Sequence, residues 1–369
     1  MTPGKLRVLH VLGALRPSGA EVMLAVAAPH FAREGVICDI LSTGAEPGPF
    51  AAKLEAAGYR VHHLPFSKTL GFFVALWRLM RTGYDAVHVH TERAAFWIGI
   101  TALGAGVPVT LKSIHNAYAF TGNLRLRRKA QRHLMSWLGM SQVAVGPSVR
   151  DTERKHYGLE TPIINNWFDA ERFQPPGEEE RRLARRALGV GDAEVVLVSV
   201  ANCNAFKNHL ELIRAMALVP SGRRPLWLHV GEEEAGLPEQ ELARAVGVAD
   251  RVRFLGSLED VRQVLHASDG FVMPSLREGL PISALEAMAT GLPALLTDVD
   301  GLRDLRPTFP GLLYAEPSAS SLAEALVAFS DRGVDAWRRM ASDHPAIVRR
   351  EYGVRSGVDA YVRIYRGAR

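Results

Sequence analysis

Short apolar runs alternate with amphipathic stretches along most of the chain, and the alternation occurs in two series. Runs this rich in Val, Ile and Leu at consecutive positions are typical of strands buried on both faces of a parallel sheet. Strands that alternate with helices form βαβ units and therefore predict an α/β fold. The predicted strands of the first series are residues 6–12, 36–42, 59–65, 85–91, 108–114 and 142–148.

The second series begins after a break at residues 174–181, QPPGEEER, whose prolines, glycine and acid run predict a linker. A length of 369 residues also exceeds what one ordinary core holds. We therefore predict two doubly wound domains facing a cleft, residues 1–170 and 171–352, with residues 353–369 forming a helix that crosses back to the first domain. The predicted strands of the second series are residues 194–200, 226–232, 251–256, 270–276 and 293–299.

Composition narrows the class of protein. Hydrophobic residues make up 47% and charged residues 22%, which is typical of a soluble globular chain. The net charge of +5 suits phosphate-bearing ligands or an acidic membrane surface and does not by itself imply nucleic acid. The two cysteines, Cys38 and Cys203, fall in different predicted domains, so we predict no disulfide framework and a cytoplasmic location. The longest apolar run, residues 94–107, is too short to span a bilayer and predicts a buried helix.

The stretch REGLPISALE, residues 277–286, carries the strongest chemical signal. A helix that starts with Pro281 in its first turn offers free amides and a positive dipole end, which favour phosphate, and Gly279 lets the backbone approach a ligand. Glu278 and Glu286 could accept hydrogen bonds from hydroxyls at two ends of that ligand, which describes a nucleotide sugar. The alternative is a solvated loop acid and an ordinary surface acid on a helix.

These residues resemble a known family. REGLPISALEAMATGLP, residues 277–293, resembles the Glu-x7-Glu signature of the retaining glycosyltransferases of the GT-B fold, family four, also called glycosyl transferases group 1. SGAE (18–21) is similar to the family's glycine-rich loop after the first strand, and VHVHTE (87–92) and SIHNAY (113–118) to its later strand ends. IINNWFDAERF (163–173) is similar to its domain junction, so the resemblance covers nearly the whole chain.

The resemblance implies that the second domain binds a nucleotide diphosphate sugar and that the first binds the acceptor. By the same resemblance, Glu286 would bond the ribose hydroxyls. Glu278 would hold the donor sugar, and the amides of Gly279 and Leu280 would lie near that sugar and the distal phosphate.

The family also places an arginine and a lysine on the β-phosphate, and the corresponding stretch here is VANCNAFKNH, residues 200–209. Lys207 matches the lysine. It is the only lysine after Lys155 in a chain whose 44 basic residues are mostly arginine, and a lysine acts on phosphate as a compact point charge. Asn202 stands where the arginine is expected and supplies no charge. The leaving diphosphate would then depend on Lys207, the helix dipole and Arg277.

Two further candidates come from the first domain. Gly19 begins a helix after the first strand, and its amides would face the reacting centre; a plain strand-to-helix turn is the alternative. His115 ends a strand where the family often has a histidine close to the donor sugar. It would bond a sugar hydroxyl or stabilise developing positive charge through its backbone carbonyl, unless it is structural. His115, Lys207 and Glu278 form the predicted catalytic set.

His88 and His90 lie on one face of their predicted strand, and such a pair can bind zinc. A third ligand is not evident in the sequence, and the family is not expected to use a metal. We therefore predict no metal and no cofactor, with the nucleotide sugar acting as a substrate.

The segment 123–140 carries five Lys or Arg residues and no acid. It would suit a helix on a membrane surface, beside a lipid-linked acceptor. The alternative, which the fold class favours, is an ordinary helix whose apolar face packs on the first domain. The apolar residues that share one helical face are Leu126, Ala130, Leu134, Trp137 and Leu138.

The resulting functional prediction is a retaining glycosyltransferase of cell-surface polysaccharide, glycolipid or glycoconjugate synthesis, cytoplasmic or peripheral at the inner face of the membrane. A nucleotide-sugar epimerase of the same fold and a catalytically silent sugar-nucleotide-binding protein remain alternatives, the latter because of Asn202. A glycosidase is disfavoured because both acids are expected on the nucleotide side. A dehydrogenase is disfavoured because no G-x-G-x-x-G follows the first strand.

Overall fold

The computed structural model describes residues 5–367. Contacts between residues divide them into two compact units. Residues up to Phe168 and from Tyr352 onward form the N-terminal unit, and Asp169–Glu351 form the C-terminal unit.

Six parallel strands form the sheet of the N-terminal unit, and in chain order they are β1 (Leu6–Leu12), β2 (Val36–Ser42), β3 (Arg60–His63), β4 (Ala86–Val89), β5 (Val109–Ile114) and β6 (Ser141–Ala144). Their spatial order is β3-β2-β1-β4-β5-β6, so the direction of winding reverses between β1 and β4. In open α/β sheets, ligands bind at the carboxyl ends of the strands beside such a reversal. His10 of β1 stands opposite His88 of β4 at this position.

The helices of the N-terminal unit lie between successive strands along the chain. The core on one side of the sheet is apolar: Phe72, Leu76 and Ile98 from two of these helices pack with Leu9 and Val87 from the central strands. These helices are α1 (Gly19–Arg33), α2 (Ala51–Ala56), α3 (Leu70–Met80), α4 (Ala95–Gly104), α5 (Gly122–Trp137) and α6 (Pro147–Thr152).

The C-terminal unit repeats the same plan. Its six parallel strands are β7 (Val196–Val200), β8 (Leu226–Val230), β9 (Val252–Phe254), β10 (Gly270–Met273), β11 (Ala294–Thr297) and β12 (Leu313–Ala315). Their order is β12-β11-β10-β7-β8-β9, so the reversal lies between β7 and β10. The sequence did not predict β12, because only three residues, LYA, take part in it.

The helices of this unit begin inside the predicted linker. The acid run of QPPGEEER is the first turn of a helix, where three glutamates face the positive end of the helix dipole. The linker prediction was therefore wrong from Glu178 onward. The helices are α7 (Glu178–Ala187), α8 (His209–Leu218), α9 (Pro238–Ala245), α10 (Arg262–Ala267), α11 (Ile282–Ala289), α12 (Ala319–Arg332), α13 (Val334–Met340) and α14 (His344–Tyr352).

The last helix, α15 (Val354–Tyr365), belongs to the N-terminal unit and packs against α1. Its buried tyrosines reach the central strands. The Tyr365 hydroxyl lies 2.6 Å from Nδ1 of His88, and the Tyr361 hydroxyl lies 2.7 Å from Oγ of Ser113. Helix α15, although distant in sequence, thus holds His88 and Ser113 in place through hydrogen bonds from its tyrosines.

Helix α5 contradicts the interpretation that its apolar face packs on the domain. Leu126 and Trp137 are 65% and 81% exposed, while Arg132 and Met135 are buried. Arg132 turns inward because Glu153 binds its guanidinium through two hydrogen bonds of 2.6 and 3.0 Å. The helix is therefore anchored by a buried ion pair and presents apolar side chains to solvent. Separately, none of the helices within residues 5–367 combines the length and the apolar character that crossing a membrane requires.

Candidate active site

Lys207 and Glu278 meet at the carboxyl edge of the C-terminal sheet, although 71 residues separate them in sequence. The Lys207 Nζ donates to Glu278 Oε1 at 2.7 Å, and the Ser275 hydroxyl donates to the same oxygen at 2.6 Å. Glu278 is only 8% exposed, so the ammonium partner offsets much of the cost of burying its charge. Two of the three predicted catalytic residues therefore form one ion pair.

The loop that carries Lys207 is fixed to the loop after β10 by hydrogen bonds on both sides of the lysine. The Leu276 amide donates to the Phe206 carbonyl at 2.8 Å. The side chain of Asn208, a residue in the left-handed conformation at φ 58°, donates to the Pro274 carbonyl at 3.0 Å. Because these bonds join the ends of β7 and β10, the ammonium is held at the reversal of the sheet.

Gly301 supports the backbone around Glu278, and the sequence analysis missed it. The Glu278 amide donates to the Asp300 carbonyl at 2.9 Å. Gly301 has φ +85°, and a Cβ there would lie 2.4 Å from the Glu278 carbonyl oxygen and 2.5 Å from that of Gly279. Only glycine fits this position. The Asp-Gly pair after the predicted strand 293–299 was the available signal, because such pairs are typical of tight turns.

Glu286 lies on α11, which begins at Ile282 with Pro281 as its N-terminal cap residue, one position later than predicted. Burial raises the pKa of Glu286 to about 8. The positive charge of Arg172 opposes that rise, and the carboxylates of Asp169 and Asp260 add to it. The side chain is therefore protonated at neutral pH and can both donate and accept hydrogen bonds.

Arg172 is a second residue that the sequence analysis did not single out. Its guanidinium lies 3.1 Å from Asp260, and its charge acts on the Glu286 carboxyl. The signal was present in IINNWFDAERF, which we used only as a marker of the domain junction.

Asn202 and Arg277 flank the ion pair without joining it in the described contacts. The Asn202 side-chain oxygen accepts from the Glu232 amide at 2.9 Å and so holds the chain that follows β8. The Arg277 guanidinium lies 4.1 Å from the centre of the Phe206 ring, a cation–π contact. That either residue compensates for the family arginine stays a prediction.

Gly19 and His115 belong to the N-terminal unit. Gly19 is the first residue of α1, and the hydroxyl of Ser18, its cap residue, donates to the Glu21 carboxylate. His115 directly follows β5 and belongs to a chain of imidazole rings, in which its Nε2 lies 3.0 Å from His90 Nδ1.

The chain continues across the sheet, because His90 Nε2 lies 3.0 Å from His10 Nδ1. Burial lowers the pKa of His115 to about 4 and that of His10 to about 3, and it also lowers the pKa of His90. The other bond of the His115 ring goes to Asn166. The imidazoles are therefore neutral, and protein partners hold the His115 ring on both sides.

His10 adds a third ring to His88 and His90, the pair for which the sequence showed no third ligand, but the cluster does not suit a metal. Both ring nitrogens of His88 are engaged, Nδ1 with the Tyr365 hydroxyl at 2.6 Å and Nε2 with the Ser113 hydroxyl at 2.8 Å. No lone pair of His88 remains for an ion without breaking one of these bonds.

One defined surface pocket of the C-terminal unit, about 350 Å³ in volume, lies away from these residues. It is at the amino end of β7 and is lined by Glu194, Asp250 and three arginines among other residues. Since ligands of doubly wound sheets bind at the carboxyl ends of strands, this pocket is a poor candidate for the active site.

Comparisons with known proteins match both units. The model of Glycosyltransferase Family 4 matches residues 17–172, and that of Glycosyl transferases group 1 matches residues 180–342. A D-inositol 3-phosphate glycosyltransferase of Actinosynnema mirum is 30% identical over 363 residues, which cover 84% of this chain and 82% of that protein. The chain belongs to the group 1 glycosyltransferases.

As a group 1 glycosyltransferase the protein is an enzyme, and the predicted family and enzyme class are confirmed. A second relative, the UDP-Gal:alpha-D-GlcNAc-diphosphoundecaprenol alpha-1,3-galactosyltransferase of Escherichia coli, is 27% identical over 283 residues, or 72% of this chain and 71% of that one. The crystal structure of Anabaena Alr3699/HepE in complex with UDP-glucose superposes with a TM-score of 0.81 at 19% identity, covering 98% of this chain and 100% of that one. This likeness confirms the two-domain GT-B fold.

Proposed function

We propose that this glycosyltransferase moves a sugar from a uridine diphosphate sugar to a hydroxyl of a lipid-linked acceptor, with retention of the anomeric configuration. The observation that carries the proposal is the Lys207–Glu278 ion pair beside the buried acid Glu286 at the reversal of the C-terminal sheet. The E. coli relative is named for a UDP-sugar and a diphosphoundecaprenol acceptor, and HepE was crystallised with UDP-glucose. Both support a uridine diphosphate sugar as the donor, and the E. coli relative also supports a lipid-linked acceptor.

The donor would lie along the start of α11. Glu286 bonds the two ribose hydroxyls, and its burial excludes the water that would otherwise compete for them. Glu278 bonds hydroxyls of the donor sugar. The amides of Gly279 and Leu280, which lead into the helix, donate to that sugar and to the distal phosphate.

Lys207 supplies the positive charge that the departing diphosphate needs. An ammonium has three N–H donors, so Lys207 can keep its bond to Glu278 while a second N–H binds a β-phosphate oxygen. The charge is in place before the bond to the anomeric carbon breaks, which is electrostatic preorganisation. Asn202 contributes a neutral donor where the family resemblance places an arginine.

His115 acts through its backbone in this proposal. The His90 and Asn166 partners occupy the ring, so the backbone carbonyl is the group that stabilises positive charge on the sugar. The histidine chain positions that carbonyl. The transfer needs no metal in this scheme, because Lys207 and the helix start neutralise the diphosphate.

The exposed face of α5 would place the N-terminal unit against an anionic membrane surface at the inner face of the membrane. Trp137, Leu126 and Leu134 are exposed, and Arg125 and Arg127 lie exposed on the same helix. Apolar insertion and attraction to acidic headgroups act together in such helices. This contact would bring the acceptor's lipid end near the enzyme.

Transfer is tested with a set of UDP-, GDP- and ADP-sugars and a polyprenyl diphosphate saccharide as acceptor. We expect nucleotide diphosphate to be released only when donor and acceptor are both present, and the glycosidic bond of the product to keep the donor's configuration by NMR. Donor consumption without acceptor would indicate an epimerase. Binding without turnover against every acceptor would indicate a silent binding protein.

Membrane contact is tested by sedimentation with vesicles of phosphatidylglycerol and phosphatidylcholine. We expect Trp137→Ser together with Leu126→Ser to reduce binding at least tenfold. Leu218→Ser is the matched control, because Leu218 is 61% exposed on α8 of the other unit. Equal binding by all variants would contradict the proposed membrane face.

A further inference from the structure

A thiol and two imidazoles meet beneath the loop that carries Lys207. Cys203 follows β7, His209 is the first residue of α8, and His229 lies on β8, and all three side chains are buried. Cys203 Sγ lies 3.6 Å from His209 Nδ1 and 3.5 Å from His229 Nε2. One potential ligand atom from each residue lies within 4.8 Å of the other two.

These separations match the spacing of ligands around a tetrahedral zinc ion. Zinc lies about 2.3 Å from a thiolate sulfur and about 2.0–2.1 Å from an imidazole nitrogen, so a tetrahedral angle places sulfur and nitrogen about 3.6 Å apart. The two observed sulfur–nitrogen distances, 3.5 and 3.6 Å, agree with this value. The three side chains therefore have suitable spacing for an ion, which can enter once the hydrogen bond of His229 Nε2 to the Ala201 carbonyl is broken.

Glu239 lies beside this group of three and is the nearest candidate for a fourth ligand, although its carboxylate must move to join them. It lies in the first turn of α9 and is 3% exposed, and its Oε2 has no hydrogen-bond partner within the described residues. Its side chain forms a hydrogen bond with the Cys203 thiol. A buried carboxylate oxygen without a partner is costly, and a cation beside it removes that cost.

We propose that Cys203, His209, His229 and Glu239 bind one zinc ion that stabilises this loop. The thiolate and the carboxylate carry two negative charges and both imidazoles stay neutral, so the occupied site has no net charge and can be buried. Binding releases the Cys203 proton. The His229 Nε2 proton, which now points to the Ala201 carbonyl at 2.9 Å, moves to Nδ1.

The ligand set selects for zinc over the alkaline-earth ions. A thiolate and two imidazoles suit zinc, whereas magnesium and calcium prefer oxygen ligands throughout. The histidine cluster of the N-terminal unit differs, because both ring nitrogens of His88 have hydrogen-bond partners, whereas His229 Nδ1 has none within the described residues and can take the proton that Nε2 gives up.

The ion would connect the loop after β7 to β8 and α9. That loop carries Asn202 and Lys207, so the site positions the catalytic lysine without touching the substrate. The proposed zinc is thus structural, and it does not depend on the identity of donor or acceptor.

The test measures metal in the purified full-length protein by inductively coupled plasma mass spectrometry, after dialysis against zinc and then against metal-free buffer. We expect about one zinc per chain in the wild type and in Cys38→Ser, since Cys38 is the other buried cysteine and lies in the N-terminal unit. We expect Cys203→Ser and His229→Gln to retain less than a tenth of that amount.

A second measurement, made on the wild type, keeps the test informative if a variant folds poorly. Cobalt added to the metal-free wild type should give a thiolate-to-cobalt charge-transfer band, and zinc should abolish it. A strong chelator should lower the melting temperature of the wild type and leave that of Cys203→Ser unchanged. A wild type that takes up neither metal would show that the cluster is only a thiol–imidazole hydrogen-bond network. Equal zinc in Cys203→Ser and wild type would show adventitious binding, and either result overturns the proposal.

Discussion

The two sheets share one strand order but carry opposite chemistry at the edge where the winding reverses. In the N-terminal unit the reversal between β1 and β4 holds neutral rings, His10, His90 and His115, in a hydrogen-bonded chain. In the C-terminal unit the reversal between β7 and β10 holds the charged pair of Lys207 and Glu278. Two sheets with the same strand order therefore carry neutral histidine rings at one carboxyl edge and a lysine–glutamate ion pair at the other.

Burial explains how each edge keeps its state. Burial lowers the pKa of these imidazoles, and at His115 it outweighs the hydrogen bond to Asn166, which acts in the opposite direction. Glu278 has an ammonium partner at 2.7 Å, whereas no ion pair of Glu286 is found within residues 5–367 and burial raises its pKa to about 8. Two acids of one motif thus lie in different surroundings, one in an ion pair and the other buried with a raised pKa, and so suit different roles.

The largest effect is expected from removing the charge at the C-terminal edge. Lys207→Ala should lower kcat by about 100- to 1000-fold, the usual cost of losing one preorganised donor to a developing charge. The Kd for donor should change far less, because the charge matters most as the diphosphate leaves. Steady-state kinetics with calorimetric donor binding measure both quantities.

Lys207→Arg is the control for that experiment. It retains the charge and should recover part of kcat, although a guanidinium does not reproduce the ammonium geometry. Equal losses in kcat and in donor affinity for Lys207→Ala would remove the argument that the lysine acts on the leaving group.

Glu286→Ala should weaken UDP-sugar binding about 10- to 100-fold, which corresponds to loss of about 1.5–3 kcal/mol in hydrogen bonds. The fold should remain intact by circular dichroism. Isothermal titration calorimetry measures the affinity, with Glu180→Ala on exposed α7 as a control. An unchanged donor affinity in Glu286→Ala would show that the ribose assignment is wrong.

The neutral state of Glu286 predicts a pH-dependent stability. Its pKa of about 8 in the folded protein exceeds the ordinary value of 4.5, so between these pH values unfolding releases a proton and stability falls as pH rises. Glu286→Gln lacks this loss and should raise the melting temperature more at pH 8 than at pH 5, by several degrees. An equal gain in melting temperature at both pH values would show that the Glu286 carboxyl is ionised and has an ordinary pKa.

The smallest effect is expected at the neutral edge. His90→Asn breaks the chain that holds His115 and should lower kcat about tenfold, the lower part of the range for misplaced catalytic groups. The KM for donor should stay within about twofold, since His90 touches no substrate in this account. A loss of donor binding without a loss of kcat would show that the N-terminal edge binds rather than positions.

The fold was predictable because its strands are buried on both faces. Runs such as LRVLHVL and EVVLVSV are apolar at nearly every position, and parallel sheets covered on both sides require this. The strand β12 was not predicted because its three residues are too few to show a hydrophobic pattern. The face of α5 misled the sequence analysis because an ion pair of Arg132 with Glu153, from another element, decides which side of the helix turns inward.

The site was predictable only where one motif contained its residues. Glu278 and Glu286 share a ten-residue stretch, and Lys207 was found through its resemblance to the family. Gly301 and Arg172 act on these residues from other loops, and a single sequence does not show which loops meet. The neutral state of Glu286 depends on desolvation, which is a property of packing and not of spacing.

The ribose assignment holds that Glu286, whose pKa burial raises to about 8 in the ligand-free protein, accepts hydrogen bonds from the ribose hydroxyls of the donor. Its most direct test is calorimetry of UDP binding at pH 7.5 in two buffers that differ in ionisation enthalpy, with wild type and Glu286→Gln. Ribose hydroxyls favour the carboxylate, so the wild type should release part of a proton on binding and the glutamine variant should release measurably less. The same proton count and the same affinity in both proteins would contradict the account.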